Sequence, residues 1–309
     1  MAVTAAAVEQ ARPARRRLRG ATLLGIAFFS PALVYIVALV GLPLVLAFAY
    51  SVGDVTVGSV GYHYVGLENF RSVMENPTFR RALLDSLLFT IATQLIVIVC
   101  ANALALALRD PFRGRGLVRF LILLPWVAPI SLGAIGWKWQ LDSIYSVVNW
   151  VLARARLVNI FDPPMWLGEP GLAMGSVIAV HAWRMIPFST VILLAGLTSI
   201  PRDIPEAAAV DGAGFWRIHF QITLPMMRPI ITVAVLFGVV FTFTDMTVVY
   251  ILTRGGPYDT TQVLPSLAFF TGVLGSDLAE GAAISVFLVP ILVAVAVIML
   301  RIAHRAEVA

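Results

Sequence analysis

The sequence predicts an all-α, polytopic membrane protein with six transmembrane helices, and three observations carry that prediction. Of 309 residues, 60% are hydrophobic and 13% charged, with a mean hydropathy of +0.90, which is too apolar for one soluble core. The apolar residues come in runs long enough to cross a hydrocarbon core, which takes about 20 residues in helical form. The basic residues behind the net charge of +5 gather at the ends of those runs. A nucleic-acid-binding protein would carry them along one polar face, so nucleic acid is excluded as a partner. Cys100 is the only cysteine and lies within an apolar run, so neither an intrachain disulfide nor a multi-cysteine metal site is available.

In chain order, residues 1–20 form a basic tail holding Arg12, Arg15, Arg16, Arg17 and Arg19. The apolar run behind it is too long for a signal-peptide core and no small-residue cleavage site closes it, so it is read as a retained first span. That span covers about 21–50, with Pro31 and Pro43 expected to kink it. The second covers about 82–108 and the third about 118–139, interrupted by Pro125 and Pro129. The fourth, fifth and sixth cover about 172–199, 226–252 and 282–302, within a membrane domain of 21–302, and residues 303–309 form a second tail. Between spans, residues 53–80 suggest a short amphipathic helix on the membrane surface with Phe70 and Phe79 as anchors. Residues 141–170 are rich in Trp, Asn and Pro, and 254–280 open with the turn Gly255, Gly256, Pro257.

An N-terminus in the cytoplasm places fourteen basic residues inside: the five of the tail, Arg109, Arg113, Arg115, Arg119, Arg202, Arg217, Arg228, Arg301 and Arg305. Seven then lie outside (Arg71, Arg80, Arg81, Lys138, Arg154, Arg156, Arg254) and Arg184 within a span, completing the 22. This excess supports cytoplasmic N- and C-termini, and it puts the loop between the fourth and fifth spans in the cytoplasm as well.

That loop, 201–225, holds the most informative segment, EAAAVDGAGFWRIHFQITLP from Glu206 to Pro225. Pro205 suits the first turn of a helix, Glu206 favours its positive end, and Gly212 permits a sharp turn before a second short helix. Ala207, Ala208, Ala209 and Ala213 let another protein's surface approach the backbone. The segment resembles the EAA loop of ABC importer permeases: Glu206, Ala207, Ala208, Asp211, Gly212, Ala213, Ile222, Leu224 and Pro225 all stand at matching spacing. The chain departs from that pattern at His219, where the family usually has Phe, with Phe220 one place later. GLENF at 66–70, LPWVAP at 124–129, TSIP at 198–201 and YILTRGGP at 250–257 extend the resemblance to the carbohydrate-uptake branch, the maltose and glycerol phosphate importer type, over about 22–302.

The resemblance implies a permease subunit in a bacterial cytoplasmic membrane, paired with a second, related permease in a heterodimer. It also implies two ATPase subunits on the cytoplasmic face, an extracytoplasmic solute-binding protein, and a carbohydrate or polyol as substrate. Glu206, Ala207, Ala208, Asp211, Gly212 and Ala213 are then the residues that couple to the ATPases. The chain has no G-x-x-x-x-G-K-[ST], so ATP hydrolysis falls to partners and the chain itself is not an enzyme.

Ionisable residues deep in a span are expensive unless paired or facing water. Arg184 and Asp245 are such residues, roughly 24 Å and roughly 28 Å from the cytoplasmic ends of their helices at about 1.5 Å per residue, so the two can meet. They either face the translocation path or lock two helices as a structural ion pair. Aromatic rings suit the apolar faces of sugars, which singles out Trp183 and Tyr250. Trp137 and Trp139 fit an interfacial role better. Thr242, Thr244 and Gln140 can offer hydroxyl or amide contacts, although threonines in spans often bond their own backbone. The substrate path is thus read as Trp183, Arg184, Thr242, Asp245 and Tyr250. No histidine or carboxylate stands at i+3 or i+4 from His181 or His219 to complete a ligand set, so no metal or cofactor is expected. A secondary transporter or channel is the main rival; it would place carboxylates for ions or protons within several spans. A membrane enzyme would need a catalytic set that the sequence lacks, and a scaffold would leave Arg184 and Asp245 without a role.

Overall fold

The computed structural model describes residues 14–308 apart from residues 60 and 160, with side chains described over 24–303. Residues 1–13 of the basic tail, Arg12 among them, lie outside the described residues, as do the side chains of Arg15, Arg16, Arg17, Arg19 and Arg305. The chain divides into two compact units, Met1–Ala49 and Tyr50–Ala309.

The first unit is helical. α1 (Ala14–Ile36) carries Pro31 inside it, a π-helical turn follows at Val37–Gly41, and α2 (Leu42–Ser51) continues the run. The π turn stands just ahead of Pro43, which has no N–H for the carbonyl four residues back. Leu42 N–H reaches five residues back to the Val37 carbonyl instead. The apolar stretch Leu24–Ser51 is long enough to cross a bilayer and none of its most apolar window is buried in the chain.

The second unit opens with a two-stranded hairpin, β1 (Gly53–Asp54) against β2 (His63–Tyr64), then α3 (Glu68–Glu75). Asn76 caps α4 (Pro77–Ala107) by accepting the Thr78 N–H at 2.9 Å, with Pro77 at the first position. Of the expected surface anchors, Phe79 is buried and Phe70 half-buried. Both rings pack inward on Phe287, at centroid distances of 5.6 and 5.0 Å. Val73 of α3 is buried in the same cluster.

α5 (Arg115–Val127) and α6 (Ile130–Gln140) take the place of one kinked third span, and they are bent by 94°. Pro129 lacks an N–H and drives Ala128 to extended backbone, so the helix restarts rather than bends. After α6, the Asp142 carboxylate accepts the N–H groups of Tyr145 and Ile144, which hold it below the usual carboxylate range. α7 (Val147–Arg154) is capped by Ser146, and α8 (Pro170–Ser199) crosses the unit.

The loop to the fifth span contains α9 (Asp203–Val210), α10 (Phe215–Ile218), a π turn at His219–Thr223 and α11 (Leu224–Met226). The expected continuous fifth span is broken: α12 (Arg228–Phe243) ends, and α13 (Thr247–Leu252) begins after three non-helical residues. The residues beyond the turn at Gly255 are not simply an outer loop. α14 (Leu264–Phe269) and a π turn at Phe270–Leu274 put Leu264, Ser266, Leu267 and Ala268 into the core, before α15 (Leu278–Val308). Ser86 Oγ secures this packing by accepting the Leu264 N–H at 2.8 Å while donating to the Ala82 carbonyl at 2.7 Å.

Among the described residues four helices are long and apolar enough to cross a membrane, and six spans result if each of two bent pairs counts as one. α4 and α8 form the central pair. The buried residues of α4 follow the 3.6 period at Ala82, Ser86, Phe89, Thr93, Val97, Ala101 and Ala105, and the small ones among them let helices approach closely. At one end, Ala101 and Ala105 join Leu193 and Leu197 of α8 and Met227 and Ala234 in one cluster. Nearer the other end, Phe89 joins Val177 of α8 and Val248 of α13.

Candidate functional site

Two places collect the singled-out residues: the α9–α10 loop, and a polar cluster where α4, α8, α12 and α13 meet.

In the loop, Asp203 and Glu206 occupy the first turn of α9, where carboxylates complement the helix dipole. Gly212 adopts φ +81, the left-handed conformation that closes a helix. Around it Gly212 N–H bonds the Ala209 carbonyl at 3.1 Å and Ala213 N–H bonds the Ala208 carbonyl at 3.0 Å, the paired closure of a Schellman motif. Thus Ala208, Ala209, Asp211, Gly212 and Ala213 shape one compact, glycine-dependent helix end. Glu206 borders a cleft with Arg109, Asp110 and Arg202, so the turn after α4 lies beside α9. The outer face is apolar, with Val210 87% and Trp216 66% exposed, and Trp216 stacks on Phe220 at 5.8 Å. Exposed apolar patches of this kind mark protein or membrane interaction surfaces.

In the cluster, Arg184 of α8 and Asp245 in the gap between α12 and α13 come together, with Arg184 Nη1 3.7 Å from Asp245 Oδ2. Asp245 is 9% and Arg184 24% exposed, so the pair is largely withdrawn from solvent. Asp245 Oδ1 accepts the Val248 N–H at 3.1 Å and thereby starts α13. The Arg184 guanidinium also lies over the Trp126 ring at 5.4 Å, a favourable position for a cation. Thr242 Oγ1 accepts from Gln94 Nε2 at 3.1 Å and stands 3.2 Å from His181 Nε2. His181, fully buried, turns its Nδ1 towards Asp245 Oδ1 at 3.8 Å. Thr242 therefore bonds across helices, not to its own backbone, whereas Thr244 does bond its own backbone, at the Val240 carbonyl.

Trp183 packs edge-on against Trp137 at 5.6 Å and lines, with Arg184, Pro125, Pro129 and Gly133, a small cleft at the α5–α6 break. Trp137 is thereby half-buried against core residues, while Trp139 is 64% exposed. Tyr250 packs against Phe269 and Phe270 instead, at 5.6 and 5.8 Å. Sequence reasoning missed Gln94 and the role of His181. A histidine three residues before Arg184 on an otherwise apolar face is the signal that marks it. His219 packs inward and stands 3.0 Å from Asn102 Nδ2.

Residues 99–307 match the family described as binding-protein-dependent transport system inner membrane component. A trehalose/maltose transport system permease protein, MalF, of Thermococcus litoralis is 29% identical over 279 residues, covering 90% of this chain and 93% of that protein. A diacetylchitobiose uptake system permease protein, DasB, of Streptomyces coelicolor is 30% identical over 298 residues, covering 95% and 90%. Among solved structures, a bacterial ABC transporter involved in the import of the acidic polysaccharide alginate superposes with a TM-score of 0.78 at 21% identity, over 94% of this chain and 97% of that one.

Proposed function

The chain belongs to the binding-protein-dependent transport system inner membrane components, and on that premise we propose that it lines the translocation path of an ATP-driven importer for a carbohydrate or related polyol. The permease role follows from the family. The substrate class rests on relatives named for trehalose, maltose and diacetylchitobiose. The observation that carries the mechanism is the exposed, aromatic α9–α10 loop, closed at Gly212 and joined to the helices behind it. One of two cytoplasmic ATPase subunits docks on that loop, and the ATP-driven closure of the pair displaces α9. The helices carry the displacement to the path shared with a second, non-identical permease. A solute-binding protein delivers the sugar from the other side. Glu206, Ala207, Ala208, Asp211, Gly212 and Ala213 form the coupling surface, while Trp183, Arg184, Thr242, Asp245 and Tyr250 serve the path.

Broken helices expose backbone groups only where they line a cavity or are buried in protein, and Asp245 sits in such a break beside Arg184. That placement fits a group on the path and a structural pair alike, and the Asp245→Asn uptake measurement separates them. Affinity purification of the native complex in mild detergent tests the assignment. Two ATPase subunits and one different permease per copy are expected. Recovery of this chain alone, or of two identical copies, contradicts it.

A further inference from the structure

Every residue of the coupling loop from 201 to 218 is exposed or half-buried; His219, at 3% exposure, is the first buried residue after Ile200. Displacement of α10 therefore first meets the buried fold at His219. The residue opens a π turn in which Leu224 N–H bonds the His219 carbonyl five residues back, immediately before Pro225, and π turns are frequent at functional sites. Beyond it, the run Phe215–Met226 meets α12 at a bend of 72°. The His219 ring contacts Phe215 and Phe220 on the loop side. On the other side it meets Asn102 of α4, whose Nδ2 lies 3.0 Å from His219 Nε2. An amide nitrogen can only donate, so Nε2 accepts. Asn102 stands beside Ala101 and Ala105, which pack against Leu193, Leu197 and Met227. A movement delivered there reaches the central helix pair directly. The same helix carries Gln94, eight residues or roughly 12 Å further along, bonded to Thr242.

We propose that His219 is a positioning residue for coupling, transmitting the displacement of the α9–α10 loop to α4 through its hydrogen bond with Asn102; this role rests on the importer reading above. The test is a double-mutant cycle in the reconstituted complex with its ATPases, second permease and binding protein, measuring substrate imported per ATP hydrolysed and the yield of assembled complex. His219→Phe and Asn102→Ala should each lower import per ATP on the order of tenfold, the equivalent of one buried hydrogen bond. The double variant should fall no further than either alone. His219→Gln, which keeps an acceptor at similar reach, should restore the ratio. Unchanged import per ATP in both single variants overturns the proposal, as do additive losses or equal behaviour of the Phe and Gln variants. Gly212→Val, run alongside, separates the two readings. If it uncouples while His219→Phe does not, the linkage fails and the loop assignment stands. If neither uncouples, the loop assignment fails and the linkage with it.

Discussion

Asp245 divides its carboxylate between a local contact and a long-range one, since Oδ1 accepts the Val248 N–H while Oδ2 faces Arg184. Asp245→Asn keeps an oxygen for Val248 and removes the charge that Arg184 faces. If the pair serves the path, half-saturating substrate concentration in uptake should shift by about tenfold at unchanged complex yield, the loss of one charge-assisted contact. A structural pair predicts the reverse, a lower yield with normal uptake per complex. Gly212 acts through the backbone alone, since a Cβ built there meets nothing within 4 Å. Gly212→Val should cost about 1–2 kcal/mol in that turn and lower import per ATP without preventing assembly, read from the ratio of uptake to hydrolysis. Among single residues the sequence was legible wherever a residue's meaning is local. The EAA spacing and the glycine in it could be read directly, and the depth of Arg184 and Asp245 could be counted. The Gln94–Thr242 bond could not be read, because its partners are 148 residues apart and either alone resembles an ordinary polar residue in a span.

Proline punctuation made part of the helical architecture readable, and its absence hid the rest. Pro125 and Pro129 announced an interruption, although not its 94°. Nothing comparable announces the break at 244–246, where Asp245 N–H bonds the Thr242 carbonyl three residues back and its side chain starts the next helix. α14 is not legible as a helix because its apolar run is too short for a span. Gly238 of α12 leaves room for the Gln94 amide of α4, and a Cβ there would overlap it and push it off Thr242. Gly238→Ala should therefore destabilise the purified protein by about 1–3 kcal/mol, seen as a lower Tm in detergent. Adding Gln94→Ala to that variant should recover part of the loss, since the overlapping group is then gone. A Gly238→Ala protein with unaltered Tm would show that the two helices do not pack as described.

For the whole molecule, the basic residues predict an orientation, and the proposed coupling loop would give that orientation a purpose. Asp211 and Tyr258 lie on exposed segments at the two ends of the fifth span, which joins them through α12 and α13. In a background with Cys100 replaced, Asp211→Cys should react with an impermeant thiol reagent only when applied from the cytoplasmic side, and Tyr258→Cys only from outside. Reversed labelling would turn the coupling loop away from ATP. The class of protein was legible from runs of apolar residues, since hydrocarbon admits few solutions. The identity of the sugar was not, because in the proposed complex the contacts to it are divided among chains. If the proposed coupling holds, this chain moves substrate only when its loop is driven by ATP hydrolysed elsewhere. Proteoliposomes holding the complete complex, compared with proteoliposomes holding this chain alone, measure that dependence through uptake of radiolabelled sugar with and without ATP. Uptake is expected only from the complete complex and only with ATP. Uptake by the chain alone, without ATP, would overturn the importer reading and identify a secondary carrier or channel.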